Sequence, residues 1–177
     1  MLVLKIRVPS FPLVPLFAFL LYFSPAVLRG ENLHFSFDQE SRIPRIFSPN
    51  PAPNGSTTSI SLVSGGPDAG LKISDSDAKA GVGLSALVKI EPAHLYRQMA
   101  VRKGGPLMFY FKWLDENKKF IPPEHAQTFK NETSFQSAEY SERSPENARY
   151  CQIWIYSAST MTTEVILKEW SFTDMGL

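Results

Sequence analysis

The residues best suited to binding chemistry lie close together near the C-terminus of this chain, between Arg149 and Ser157. Side chains of a β-strand point alternately to opposite faces. One face of a strand over this run carries Tyr150, Gln152, Trp154 and Tyr156. Tyrosine and tryptophan combine an apolar ring with a polar edge, and glutamine offers both a hydrogen-bond donor and an acceptor. The pattern predicts a half-wet face that suits a ligand with both apolar and hydroxyl groups.

The same alternation assigns the core side of two strands. In Leu107 to Asp115 one face carries Phe109, Phe111 and Trp113, and the other carries Met108, Tyr110, Lys112 and Leu114. Because a lysine is rarely fully buried unless it is paired, the face with Lys112 is predicted to be the wetter one. The opposite face of the Arg149 strand, with Cys151, Ile153 and Ile155, is then predicted to point into the core. Cys151 is the only cysteine, so we interpret it as a buried thiol rather than a nucleophile.

The first 30 residues have the pattern of a secretory signal peptide. Two basic residues, Lys5 and Arg7, precede an apolar core over Phe11 to Phe23, and the small residues Ser24, Pro25 and Ala26 follow. The alternative is a membrane anchor, but a span needs roughly 20 apolar residues, and this core is shorter and contains two prolines. We therefore predict no stable membrane span and a secreted protein, extracellular or periplasmic.

Charge argues against a nucleic-acid partner. Loss of the signal would remove Lys5, Arg7 and Arg29, which leaves 15 of the 18 basic residues against 17 acidic ones. Nucleic-acid binding needs a concentrated basic face. A slightly acidic chain of this kind favours other partners.

The predicted mature chain, residues 31–177, reads as one all-β domain. Its apolar runs are short and are separated by turns rich in proline, glycine and asparagine, which is typical of strands. Ser41 to Thr58 contains four prolines and is predicted to be a loop, and Ile60 to Val63 an edge strand. The size is that of a single domain with its own core.

Several motifs, taken in order, resemble a known family. They are NLHFSFD from Asn32, the Gly70 to Ser74 strand, IEPAHLYRQMAVRK from Ile90, FYFKWLDENKK from Phe109 and the segment Ser144 to Asp174. This order is similar to that of the jelly-roll carbohydrate-binding modules of secreted polysaccharide-degrading enzymes, which are galactose-binding-like sandwiches. The resemblance implies a two-sheet antiparallel jelly-roll β-sandwich without catalytic activity.

The resemblance also implies which strands share a sheet. One sheet would contain Leu71 to Ser74, Arg149 to Ser157, Tyr96 to Arg102 and Leu107 to Asp115. The other would contain Leu33 to Asp38, Val165 to Phe172, Leu84 to Ile90 and Phe135 to Glu142. The outer face of the first sheet would then present the candidate carbohydrate-binding residues Trp154, Tyr156, Tyr150, Gln152, Tyr110, Lys112 and Gln98.

Such a face matches a sugar. A pyranose ring has an apolar C–H surface that stacks on an aromatic ring, and its hydroxyl groups bond to amide, ammonium and phenol groups. The resemblance thus implies a polysaccharide or glycan as the partner. The alternative is a structural or protein-interaction sandwich, in which the same rings pack under the proline-rich loop or against another secreted protein.

No cofactor is expected apart from a candidate structural calcium. The family often holds this ion between an acidic residue of the opening strand and one of the last strand, and Asp38 and Glu169 are the candidates here. Lys168 departs from the family pattern and would repel a cation. The alternative is a surface ion pair between Lys168 and a carboxylate.

Enzyme activity is not expected. A glycosidase needs two carboxylates about 5 to 9.5 Å apart across a cleft. The sequence pairs Asp75 with Asp77, Asp115 with Glu116 and Glu139 with Glu142. All six are predicted to be solvated surface groups in turns or on wet strands.

Overall fold

A computed structural model of the chain describes residues 32–37, 44–50, 58–157 and 160–177, with the backbone alone over 45–50. The described part forms strands joined by short turns, as the alternating pattern predicts. The strands are β1 (Leu33–Ser36), β2 (Arg45–Asn50), β3 (Thr58–Val63), β4 (Gly70–Asp75), β5 (Gly81–Lys89), β6 (Leu95–Gly105), β7 (Leu107–Leu114), β8 (His125–Phe129), β9 (Glu132–Arg143), β10 (Tyr150–Tyr156) and β11 (Thr163–Asp174).

The strands pair into two antiparallel sheets. The first sheet has the order β2-β5-β10-β7-β8. The second has the order β3-β4-β11-β6-β9, and β1 also pairs with β11. The fold is therefore the two-sheet antiparallel sandwich that the sequence predicts.

The core lies between the two sheets and follows the predicted alternation. Phe109, Phe111 and Trp113 of β7 are fully buried, as are Cys151, Ile153 and Ile155 of β10. The second sheet contributes Val165, Leu167, Trp170 and Phe172 of β11, where a register shift between Leu167 and Glu169 moves the alternation by one residue. At about 25 cal/mol per Å² of apolar surface, these large side chains dominate the stabilisation of the fold. Leu114 is an exception, because it is buried although its parity places it on the outer side.

The expected membership of the sheets is right for some strands and wrong for others. β7 and β10 are neighbours, β1 pairs with β11, and β9 lies in the same sheet as these two, as predicted. The predicted positions of Leu71 to Ser74 and Tyr96 to Arg102 are wrong, because both pair with β11 in the second sheet. Leu84 to Ile90 is also misplaced, since β5 pairs with β10 in the first sheet. Alternation shows which side of a strand is buried, but both sheets offer a buried side.

Some sequence predictions fall outside the described residues. These include the signal peptide of residues 1–30, the calcium candidate Asp38 and most of the proline-rich loop. β2 lies within the range predicted to be a loop, and its backbone pairs with β5 at an edge of the first sheet. Within the described ranges, no helix is long and apolar enough to cross a membrane.

Candidate functional site

Three aromatic rings meet on the outer side of the first sheet. Tyr110 of β7 is the cross-strand partner of Trp154 in β10, and their ring centroids lie 5.4 Å apart. Tyr156 lies two residues along β10, 5.4 Å from the Tyr110 ring and 6.3 Å from the Trp154 ring. These rings, together with Gln152, Lys112 and Tyr150, are called the aromatic face below. The separations and tilted geometries are those that favour aromatic pairs.

The strand β5 lies very close to β10 beside these rings. Its register places Ser85 opposite Trp154 and Gly83 opposite Tyr156. A Cβ atom at Gly83 would overlap the carbonyl oxygen of Ile155 and the Cβ atom of Tyr156. The close approach of β5 to β10 at this point therefore requires glycine.

The end of the aromatic face at Tyr156 is covered. Tyr156 is only 8% exposed, and Ser85 on the same side of the sheet is 5% exposed. Burial, followed by the hydrogen bond with Tyr110, raises the pKa of the Tyr156 hydroxyl well above its ordinary value. The hydroxyl is therefore an internal partner of Tyr110 rather than a free group at this end of the face.

Polar groups border the rings on the other side. The Lys112 ammonium lies 5.5 Å from the centroid of the Trp154 ring and 5.0 Å from that of Phe120. It also lies 3.5 Å from a carboxylate oxygen of Glu124. Gln152 is the cross-strand partner of Lys112 and is half-buried. An amide and an ammonium thus stand beside a half-buried indole.

Tyr150 lies at the far end of the aromatic face. It is half-buried, and the Lys118 ammonium lies 5.5 Å from its ring centroid. Lys118 belongs to the turn that follows β7. A cation over an aromatic face is attracted by the ring quadrupole.

Gln98 is not on this face, and its predicted position is wrong. It lies in β6 of the second sheet and is completely buried in the core. Its amide nitrogen donates to the Tyr110 carbonyl oxygen at 2.6 Å, and its amide oxygen accepts from the Trp170 indole N–H at 3.1 Å. Gln98 thus joins the two sheets from inside and holds the β7 backbone behind Tyr110. The burial of this polar amide is tolerated because both its nitrogen and its oxygen form hydrogen bonds.

The calcium prediction is not tested, because Asp38 lies outside the described residues. Within the described residues, no three His, Cys, Asp or Glu side chains gather closely enough to hold a metal ion. Glu169 is half-buried and is the cross-strand partner of Ser36 in β1. The Lys168 ammonium lies 4.3 Å from the ring centroid of Phe135. Calcium bound by Asp38 and Glu169 stays a prediction.

Two of the paired aspartates, Asp75 and Asp115, are held by hydrogen bonds within the fold. The prediction that Asp75 is a solvated surface group is wrong. Asp75 is 2% exposed, and it accepts hydrogen bonds from the Ser157 hydroxyl at 2.6 Å and the Asp77 N–H at 3.0 Å. Asp115 caps its own turn by accepting from two backbone N–H groups. These bonds explain both aspartates as turn-stabilising groups.

The remaining pair lies on β9. Glu139 forms an ion pair with Arg97 at 3.5 Å, and Glu142 lies 3.3 Å from the His125 ring nitrogen.

Cys151 is fully buried, as predicted, and burial raises the pKa of its thiol well above the ordinary value. A thiol that resists ionisation is a poor nucleophile.

Comparison with solved structures identifies the fold. The CBM22-1 xylan-binding domain from Paenibacillus barcinonensis Xyn10C is 12% identical, with a TM-score of 0.51, and the match covers 86% of this chain and 99% of that one. A CBM4 structure is 14% identical, with a TM-score of 0.50 and coverage of 81% and 95%. The enzymatically active domain of the tailspike protein 4 of bacteriophage CBA120 is 12% identical, with a TM-score of 0.51. The match covers 81% of this chain but only 19% of that one.

These likenesses define the class of fold. The chain has the jelly-roll β-sandwich of carbohydrate-binding modules, as the sequence motifs predict. No family model matches the chain, and no curated protein matches it. Identities this low show the fold alone, because one fold hosts many functions.

Proposed function

We propose that this chain is a secreted, non-catalytic carbohydrate-binding module that holds a polysaccharide or other glycan on its aromatic face. The single observation that carries the proposal is the cluster of Tyr110, Trp154 and Tyr156 on the outside of the sheet. Apolar groups clustered on an outer face often mark a contact with a ligand or partner. The jelly-roll fold shared with carbohydrate-binding modules supports the same proposal.

The chemistry of the aromatic face fits a sugar. The half-buried Trp154 indole offers an apolar surface for the C–H groups of a pyranose ring. Gln152 and Lys112 flank the indole on adjacent strands and supply one acceptor and several donors for hydroxyl groups. The Lys112 ammonium is already near Glu124, so a sugar hydroxyl would share an existing polar pair rather than meet an isolated charge.

The alternative function is a structural or protein-interaction sandwich. The burial of Tyr156 and Ser85 favours it, because a covered end of the face is less open to a long glycan. In that case the rings contribute packing energy and no specificity for sugars.

The two functions are separated by binding experiments on the purified full chain. The protein is titrated against soluble xylan, β-glucan, mannan and galactan, and its retention on insoluble cellulose and chitin is measured. We expect a dissociation constant in the roughly millimolar to micromolar range for at least one polymer, with quenching of tryptophan fluorescence. Retention on none of the polymers, with an unchanged fluorescence spectrum, would favour the structural function.

A further inference from the structure

The aromatic face has two ends with different chemistry. At one end Tyr156 is buried, and its hydroxyl is hydrogen-bonded to Tyr110. At the other end Tyr150 is half-buried beside the turn after β7. The first end suits a neutral contact, whereas the second lies in a charged environment.

The turn beside Tyr150 fixes the position of one cation. The Asp115 carboxylate accepts from the N–H of Asn117 at 2.9 Å and the N–H of Lys119 at 2.8 Å. The Lys118 N–H donates to the Asp115 carbonyl oxygen at 3.0 Å. Lys118 itself has a φ of 61°, in the left-handed region that such a turn requires. These bonds fix the backbone that carries the Lys118 ammonium near the Tyr150 ring.

A second cation flanks Tyr150 from the opposite strand. Lys89 of β5 is the cross-strand partner of Tyr150 and is exposed. Partners in adjacent strands place their side chains on the same face of the sheet. Tyr150 therefore lies between Lys89 on one side and Lys118 on the other.

Two lysines beside Tyr150 lack a carboxylate partner. Lys112 lies close to Glu124, but neither Lys89 nor Lys118 makes an ion pair with any described residue. Lys119 is a further exposed cation. The turn contains two carboxylates, the exposed Glu116 and Asp115, whose charge is engaged by backbone N–H groups. Lys89 and Lys118, the two lysines placed beside the Tyr150 ring, are thus not engaged by a carboxylate of any described residue.

We propose that the Tyr150 end of the aromatic face selects glycans that carry carboxylates, that is, polysaccharides containing uronic acids. This inference rests on the proposed function, because it assigns the chemistry of one part of the same binding surface. A uronic acid ring offers C–H groups to the Tyr150 ring and a carboxylate to the ammonium groups of Lys89 and Lys118. Hydrogen bonds between ionised partners are stronger than neutral ones.

The test compares polymers that differ only in their carboxylates. The full chain is titrated with glucuronoxylan and with polygalacturonate, each beside its carboxyl-reduced counterpart. We expect about tenfold tighter binding of at least one acidic polymer at low ionic strength, since about threefold from each of two exposed ion pairs multiplies to about tenfold. The preference should shrink as salt is added, because salt screens exposed charges.

A charge-matched control separates a local site from general attraction. The double variant Lys89→Gln, Lys118→Gln should lose the preference for the acidic polymer. The double variant Lys79→Gln, Lys130→Gln removes the same charge at exposed positions outside the aromatic face and should retain it. Loss of the preference in both double variants would overturn the proposed site.

The outcomes also separate this inference from the proposed function. Equal binding of the acidic and reduced polymers overturns the uronic-acid inference and leaves glycan binding intact. Binding to none of the four polymers overturns the inference as well, and the neutral polysaccharide panel then decides the proposed function by itself.

Discussion

The two outer faces of the sandwich are built on the same strand alternation, yet they present different chemistry. On the first sheet, Tyr110, Trp154 and Tyr156 lie against one another. On the second sheet, outward-facing residues form ion pairs, such as Lys72 with Glu164 at 3.0 Å. An ion pair at the surface changes the free energy of unfolding very little. Clustered rings instead form an apolar surface that a bound ligand could cover. The same fold therefore carries two outer faces of different chemistry, because the outward residues of its strands differ.

The aromatic residue Phe135 on the second sheet sharpens this contrast. The Lys168 ammonium lies 4.3 Å from its ring centroid, a contact of the same kind as that between Lys112 and Trp154. Trp154 also contacts the rings of Tyr110 and Tyr156, so it belongs to a broader aromatic surface. Truncating each of these two rings therefore tests the comparison directly.

The largest effect is expected for Trp154→Ala. Glycan affinity should fall about 30-fold or more, as it does for residues that dominate an interface, while Phe135→Ala should leave it unchanged. The indole is half-buried and contacts two rings, so the loss of unfolding free energy should be about 2 kcal/mol, below the about 3 to 5 of a core aromatic. Titration and urea denaturation measure the two quantities. A folded Trp154→Ala protein that binds glycan as tightly as the parent would remove this ring from the binding face.

The next effect is on stability, and it distinguishes Gln98 from Gln152, which the sequence predicts to lie on the same face. Gln98→Ala should lower the free energy of unfolding by about 2 to 3 kcal/mol, because it leaves the Trp170 indole N–H and the Tyr110 carbonyl without this buried partner. Gln152→Ala, the matched control, should cost less than about 0.5 kcal/mol since its side chain is half-buried on the outer face. Equal losses of stability for the two variants in urea denaturation would contradict the difference in their positions.

A smaller effect is expected for Gly83→Ala. The added methyl group would overlap the Ile155 carbonyl oxygen and Tyr156, so β5 has to move away from β10. Overpacking of this kind should cost about 1 to 2 kcal/mol and change the near-ultraviolet circular dichroism of the nearby tyrosines. Ser85→Ala, two residues along the same strand, is the control and should leave the spectrum unchanged. A Gly83→Ala protein as stable as the parent would show that the strands do not approach this closely.

The smallest effect is expected on the second sheet. Lys72→Ala breaks an ion pair with Glu164, whose side chain is 71% exposed, and should change the free energy of unfolding by less than about 0.5 kcal/mol. Glycan affinity should not change. A reduction in affinity comparable to that of Trp154→Ala would mean that the second sheet, rather than the aromatic face, binds the ligand.

Much of the candidate site was predictable because strand alternation is a local property. Cys151, Ile153 and Ile155 had to share one side, and the placement of Trp154 with Tyr156 on the other side follows from the same rule. Lys112 correctly predicted the wetter side of β7, and Tyr110 lies on that side because it is two residues away. These predictions needed only the residue types within one strand.

Other parts of the site were not predictable because they depend on pairing between distant segments. Gln98 shares its side of β6 with Tyr96 and Ala100, and only the pairing of β6 with β11 shows that this side faces the core. The burial of Asp75 likewise depends on Ser157, which is 82 residues away in sequence. A polar residue next to a turn gives no local signal of such a distant partner.

The sequence by itself determined that the chain forms short alternating strands and which side of β7 and β10 enters the core, because both follow from the spacing of apolar residues along one segment. Only the tertiary structure decided which strand lies next to which. It placed Gly83 beside Tyr156 and Lys89 beside Tyr150, and it put Gln98 inside the sandwich. Strand neighbours are set by hydrogen bonding and packing between segments far apart in the chain, and the composition of a single strand does not encode that choice.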